Sequence, residues 1–180
     1  MQHRLLLATA LAVVGCRGST AVSGMSEPAA TSASTLTPNA HKHVVPPNDE
    51  PLPVKELADA RSATARYQDV QRALRDGYVD IGVVLPNMGR HFLNDSLLDN
   101  KFEAGRPELL VYMEDLGGRM KLVAVEYAVP LTLTTTPPEG FAGKADAWFA
   151  DDRFQLWTLH AWIWRDNPDG IFNPTNRRVP

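Results

Sequence analysis

The hydrophobic pattern of this chain changes rhythm several times, and each change marks a segment. Leu5 through Val14 is an unbroken run of small and apolar residues apart from Thr9. Such a run is about half of the roughly 20 residues that cross a bilayer as a stable helix, so it reads as the core of an export signal. From residue 17 to 53 large apolar residues are sparse and have no period. That segment is dominated by Ser, Thr, Ala, Gly and Pro, cannot bury enough surface to offset its ordering entropy, and reads as a flexible tether. Its last prolines, Pro46, Pro47, Pro51 and Pro53, stiffen it toward an extended form.

A helical rhythm begins at Val54. Leu57, Ala60, Ala63 or Thr64, Tyr67, Val70 and Leu74 recur at three-to-four spacing with charges between them, which predicts one helix from Val54 to Asp76. Pro53 just before it and Gly77 just after it suit the two ends. The tract from Tyr78 to Leu98 reads as irregular, punctuated by Gly82, Pro86 and Gly89. A hairpin follows: Leu109 to Met113 as a short strand, a turn over Glu114 to Gly118 in which Asp115, Gly117 and Gly118 favour the bend, and Met120 to Val129 as the return strand ended by Pro130. Phe154 to Trp164 is apolar on both faces and rich in aromatics, as expected of a strand central in its sheet. Asn167-Pro168-Asp169-Gly170 signals a turn, and Ile171 to Pro180 reads as extended without regular structure. Residues 54–180 thus form a single α+β domain, an antiparallel sheet with the N-terminal helix packed on it.

The residues around the first apolar run add a location. Arg4 supplies its positive start, and Val13-Val14-Gly15-Cys16 resembles the lipobox of bacterial lipoproteins. That resemblance implies removal of residues 1–15 as a signal peptide, acylation of the Cys16 thiol (a palmitate-type modification), and a membrane anchor in the cell envelope. The other reading is an ordinary secretory signal cut near Gly15 or Gly18. Cys16 is the only cysteine, so the mature chain has neither an internal disulfide nor a thiolate metal cluster. Arg17 is not the Asp that retains some lipoproteins at the inner membrane, which favours the outer membrane where one exists. Net charge is −3 for the whole chain and −4 once Arg4 leaves with the signal. With no basic stripe, nucleic acid is not expected as a partner.

Candidate chemistry is thin. His41 and His43 flank Lys42 in the tether, where imidazoles are usually solvated. The folded region has two histidines, His91 and His160. His160 lies inside the aromatic strand, where alternation groups it with Leu156, Thr158, Trp162 and Trp164. Glu126 lies inside the return strand, on a face with Leu122 and Ala124. An ionisable group in an apolar strand must find a partner, shift its pKa or face solvent. Three readings stay open: His91, Glu126 and His160 together hold a divalent metal, zinc or iron; Glu126 and His160 line a ligand pocket without metal; or they form a structural pair. In each case Glu126 and His160 are expected on one face of nearby strands. Ser96 lacks a nucleophile frame, and Asp151-Asp152 reads as a solvated connection.

With these residues in view, the folded region resembles a family of bacterial secreted proteins and lipoproteins of unknown function. The likeness runs through Gly89-Arg90-His91-Phe92-Leu93-Asn94, Pro107 to Tyr112, Leu122 to Tyr127, Leu159 to Trp164 and Asn167 to Phe172. A fainter likeness, in His91-Phe92, Val125-Glu126-Tyr127 and Leu156-Trp157 through His160, runs to the plant oil-body-associated proteins, which carry a second histidine in the last segment. Neither resemblance implies an established activity. Both single out His91, Glu126 and His160 as a set. The function expected is an envelope-anchored binding or scaffold module that takes a small or amphipathic ligand on an aromatic-lined face, with Trp148, Trp157, Trp162 and Trp164 supplying the rings. The alternative is a metal-dependent hydrolase or oxygenase built on His91, Glu126 and His160.

Overall fold

The computed structural model describes residues 52–180. The signal run, Cys16, the tether up to residue 51 and the His41/His43 pair lie outside the described residues. Among the described residues no helix is long and apolar enough to cross a membrane.

The expected single helix is two helices with a break. α1 spans Val54–Thr64, a 3-10 turn covers Ala65–Gln68, and α2 spans Val70–Arg75. Asp69 causes the restart: its side chain accepts a hydrogen bond from the Gln71 amide at 3.0 Å and caps α2, the use to which a short acidic side chain is best suited. The break also shifts the phase of the apolar face. Ala60, Thr64, Tyr67 and Ala73 are buried, whereas Leu74, expected on that face, is largely exposed.

Six antiparallel strands form one sheet in the order β1-β2-β3-β4-β6-β5. They are β1 Val79–Leu85, β2 Gly89–Leu93, β3 Leu109–Glu114, β4 Met120–Pro130, β5 Phe149–Asp151 and β6 Leu156–Ala161. The hairpin of β3 and β4 lies where the pattern places it. The tract expected to be irregular is instead the β1–β2 hairpin. Its glycines serve a bulge and a turn: Gly82 at φ +71° sits where the register slips between Asp80 and Val84, and Asn87 and Gly89 supply positive φ at the turn. Only glycine fits at 89, where a Cβ would lie 2.6 Å from the Tyr112 carbonyl oxygen. β6 is interior to the sheet but not central. The three-residue β5, which the sequence pattern does not mark, covers its outer edge, and the centre is β3 and β4.

The two faces of the sheet have separate cores. Phe92, Leu110, Tyr112, Val125, Tyr127, Leu159 and Ala161 pack with Ala60, Tyr67 and Phe141 on the helix side. Buried tyrosine hydroxyls on that side are satisfied by backbone, Tyr112 donating to the Tyr67 carbonyl at 2.7 Å and Tyr127 to that of Ala104 at 2.8 Å. On the opposite face Val111, Ala124 and Trp162 pack under Val179 from the C-terminal tail. That tail, Ile171 to Pro180, has no regular structure, as expected. It is held by the Asn176 amide donating to the Asn87 carbonyl at 2.7 Å and the Asn87 amide donating to the Pro180 carbonyl at 3.1 Å.

Two irregularities correct the expected side-chain grouping. A bulge pairs Val111 with Ala124 but Tyr112 with Leu122, so Leu122 joins the helix-side core while Ala124 stays on the other face. At the end of β6 the Ile163 amide bonds the Ala161 carbonyl at 2.9 Å. Alternation stops there, and Trp164 turns back to pack on the helix-side core.

A buried His-Glu-His cluster as candidate metal centre

Three strands each deliver one polar side chain to the face opposite the helices. Glu126 of β4 stands directly across from His160 of β6. His91 of β2 stands across from Val111, which in turn faces Ala124, one pleat from Glu126. On a flat sheet two strands apart means about 9.5 Å. Yet His91 Nε2 lies 3.5 Å from Glu126 Oε2, and His160 Nδ1 lies 3.5 Å from Glu126 Oε1. Side-chain reach and the curl of the sheet close the gap. One ligand atom from each residue falls within 4.8 Å of the other two. Exposure is only 3% for His91, 5% for Glu126 and 3% for His160, so bulk water does not screen the group. Glu126 and His160 therefore share a face, as expected, and His91 reaches them.

The ring of His91 is fixed by backbone. Its Nδ1 lies 3.2 Å from the carbonyl oxygen of Val83, in the β1 bulge. A carbonyl only accepts, so Nδ1 carries the proton and neutral His91 turns the lone pair of Nε2 toward Glu126. His160 stacks on Trp162 at 6.1 Å between centroids and 17° between planes, and meets the His91 ring nearly edge-on. Its Nε2 is buried and has no hydrogen-bond partner among the described residues. A hydrogen bond from Thr158 also reaches Glu126. Alternation within β6 was the signal for Thr158, two residues before His160. The Val83 carbonyl had none, because a bulge carbonyl has no residue-type signature.

Burial sets the protonation of the cluster. It pushes the Glu126 carboxyl up to about 8, with the hydrogen bond from Thr158 opposing and the charge of Asp151 adding to the rise. It pushes His160 down to about 3, with His91 adding to the fall. His91 is lowered by burial too, against the hydrogen bonds to the Val83 and Gly89 carbonyls. All three shifts disfavour charge, and among the described residues no basic side chain offsets them. A divalent cation would reverse the balance, since it needs neutral imidazoles and draws a carboxylate proton off.

The other candidates do not join this group. Ser96 is exposed and donates to Asn94 Oδ1 at 2.6 Å within a local turn. Asp151, read from sequence as part of a solvated connection, lies in β5 and is paired with Arg153 at 3.0 Å. Of Gly117 and Gly118 only Gly118 takes positive φ, in the hairpin turn. The four tryptophans do not share one face. Trp148 packs in the helix-side core and Trp157 bonds Thr134 through its indole N–H, while Trp162 is buried against His160 and Trp164 packs over Arg61. Glu108, a second buried carboxylate, accepts from the Ala128 amide at 3.0 Å and is pushed up to about 7 by burial. No family model matches this chain, and neither a curated protein nor a solved structure matches it.

Proposed function

We propose that this protein is an envelope-anchored lipoprotein, held by acyl chains on Cys16, whose folded head binds one divalent transition metal through His91, Glu126 and His160. The spacing of the donors supports the metal most directly. A hydrogen bond from a protonated Glu126 to His91 Nε2 should close to about 2.6–2.9 Å, and 3.5 Å is too long for one. Each histidine stands 3.5 Å from its own oxygen of Glu126, and one ligand atom from each of the three residues falls within 4.8 Å of the others, so a modest contraction would bring all three to the roughly 3.3–3.4 Å that separates ligand atoms around a tetrahedral zinc. The fixed tautomer of His91 agrees, because it turns a lone pair and not a proton toward the carboxylate. We take zinc over iron as the ion to test first, because tetrahedral coordination asks for less contraction of the donors than octahedral.

Two imidazoles and a carboxylate leave one coordination position for water or a small anion, the arrangement that hydrolases and oxygenases use. Turnover needs a substrate at the ion, however, and side chains exposed by no more than 5% favour retention of the metal over catalysis. Bound there, the ion cross-links β2, β4 and β6. The test is elemental analysis of the full chain after purification without added chelator. One zinc per chain, lost in Glu126→Gln and His160→Ala, is the expected result. Less than a tenth of an equivalent of any transition metal, with no uptake on adding zinc to the refolded protein, would overturn the reading. It would leave Glu126 and the histidines as a structural polar group.

A further inference from the structure

A second site lies against α1, uses none of the three metal donors and meets their surroundings only at Trp162. Leu57 and Arg61, one turn apart on α1, border a groove of about 350 Å³ with Trp162, Trp164, Asp166 and Ile171. That volume is at the lower end of the range that holds small organic ligands, roughly 300–1,000 Å³. Its walls are fixed by their own hydrogen bonds. The Trp164 indole donates to Thr64 Oγ1 at 3.1 Å and the Trp162 indole to the Asn173 carbonyl at 2.6 Å. The one acid in the groove, Asp166, is engaged by Arg178.

What remains is the guanidinium of Arg61. It lies over the Trp164 ring, 4.3 Å from the centroid, and donates through Nη1 to the Ile163 carbonyl. Stacking and that bond hold the plane of the guanidinium against the groove wall. Among the described residues Arg61 makes no ion pair, although nine pairs between basic and acidic side chains form elsewhere, most of them using arginine. A guanidinium has five N–H donors in a rigid fork that matches a carboxylate, and the carbonyl takes up one of them. A pre-positioned fork with free donors, no acid partner and apolar aromatic walls is complementary to one chemical class of ligand. We infer that this groove binds a small amphiphile bearing a carboxylate on an apolar, aromatic-sized body, the carboxylate on Arg61 and the body against Leu57, Trp164 and Ile171. Holding the fork in place before binding lowers the ordering cost that a free arginine side chain would add.

The probe is 3-phenylpropionate, titrated calorimetrically into the full chain, with its amide and the matching phenylalkyl phosphonate as comparisons. One saturable site with Kd below about 1 mM is expected. The amide should bind about 10- to 100-fold more weakly, the range set by hydrogen bonds to a charged group. Arg61→Gln should weaken the acid by a similar factor and leave the amide unchanged, while Arg61→Lys, which keeps charge but loses the fork, should fall between. Equal affinity for acid and amide, or no saturation by about 10 mM, overturns the site. Tighter binding of the phosphonate than of the acid overturns the assignment of a carboxylate. If Arg61→Gln does not fold, the acid–amide comparison on the unaltered chain still decides. Glu126→Gln removes a metal donor that does not line the groove, so loss of metal and loss of this ligand are separable.

Discussion

Replacing Glu126 by glutamine should make the metal-free protein more stable and the metal-loaded protein less stable, and the size of the crossover can be worked from the cluster. In the unfolded chain Glu126 titrates near 4.5; in the fold burial pushes it up to about 8. Between those values the unfolded state has released a proton that the folded state keeps. Stability therefore falls as pH rises through this window and levels off above it. At about 1.4 kcal/mol per unit the loss is about 3 kcal/mol by pH 7 and about 5 kcal/mol above pH 8. Gln does not titrate and can donate an N–H to His91 Nε2, so it escapes this loss. Glu108 titrates in an overlapping window, and His160, pushed down to about 3, loses stability as pH falls from 6.5. Both are common to the two proteins and cancel in the difference. Urea denaturation of both full-length proteins by tryptophan fluorescence, in chelator, should show Glu126→Gln gaining on the unaltered chain by about 3 kcal/mol between pH 4.5 and 7. Zinc at about a thousandfold its Kd adds about 4 kcal/mol to a protein that binds it only when folded, enough to reverse the order at pH 7. A stability difference that stays flat from pH 5 to 8 would refute the buried, uncompensated carboxyl. A difference that changes with pH but never reverses on adding zinc would refute the metal alone.

Three further outcomes are open to direct measurement. Gly89→Ala places a Cβ 2.6 Å from the Tyr112 carbonyl at φ +91°; it should cost about 2 kcal/mol or more by urea denaturation, and an unchanged midpoint would mean the hairpin relaxes freely. Tyr112→Phe removes a buried hydroxyl bond and leaves the Tyr67 carbonyl without its donor, so a loss of about 1–3 kcal/mol is expected in the same assay. Cys16→Ala should abolish radiolabelled palmitate incorporation and release the protein from the membrane fraction; continued membrane partitioning of the unlabelled variant would refute the lipid anchor.

Why sequence reading reached some of this structure and missed the rest follows from which interactions are local. The β3–β4 hairpin is encoded within one stretch, a nearly continuous apolar run on each side of Asp115 and Gly118, and needs no distant partner to be recognised. The β1–β2 hairpin is equally local, but Gly82, Pro86 and Gly89 are breakers by composition. Whether a glycine ends a strand or kinks one within it depends on the neighbouring strand: Gly89 is demanded by the Tyr112 carbonyl of β3, a residue more than twenty positions away. β5 is three residues long and is held by pairing with β6, so its own sequence has too few positions to show a period.

The candidate site divides along the same line. That Glu126 and His160 would need each other was legible, because both interrupt strongly apolar strands and a buried unpaired ionisable group costs too much to leave alone. Their direct pairing follows once β4 and β6 are neighbours, since alternation leaves each strand only two faces to choose from. His91 required more. It reaches Glu126 across an intervening strand, past Val111 and Ala124, a closure that a flat sheet does not predict. Curl is a property of the assembled sheet, built from twist and from bulges such as those at Gly82 and Val111. The same β1 bulge that the glycine pattern hid delivers the Val83 carbonyl that sets the tautomer of His91. The irregularity that defeated the secondary-structure reading therefore supplies the orientation on which the metal reading rests. Straightening β1 by deleting the bulge should disturb His91 before it disturbs Glu126 or His160, because their register across β4 and β6 does not pass through β1.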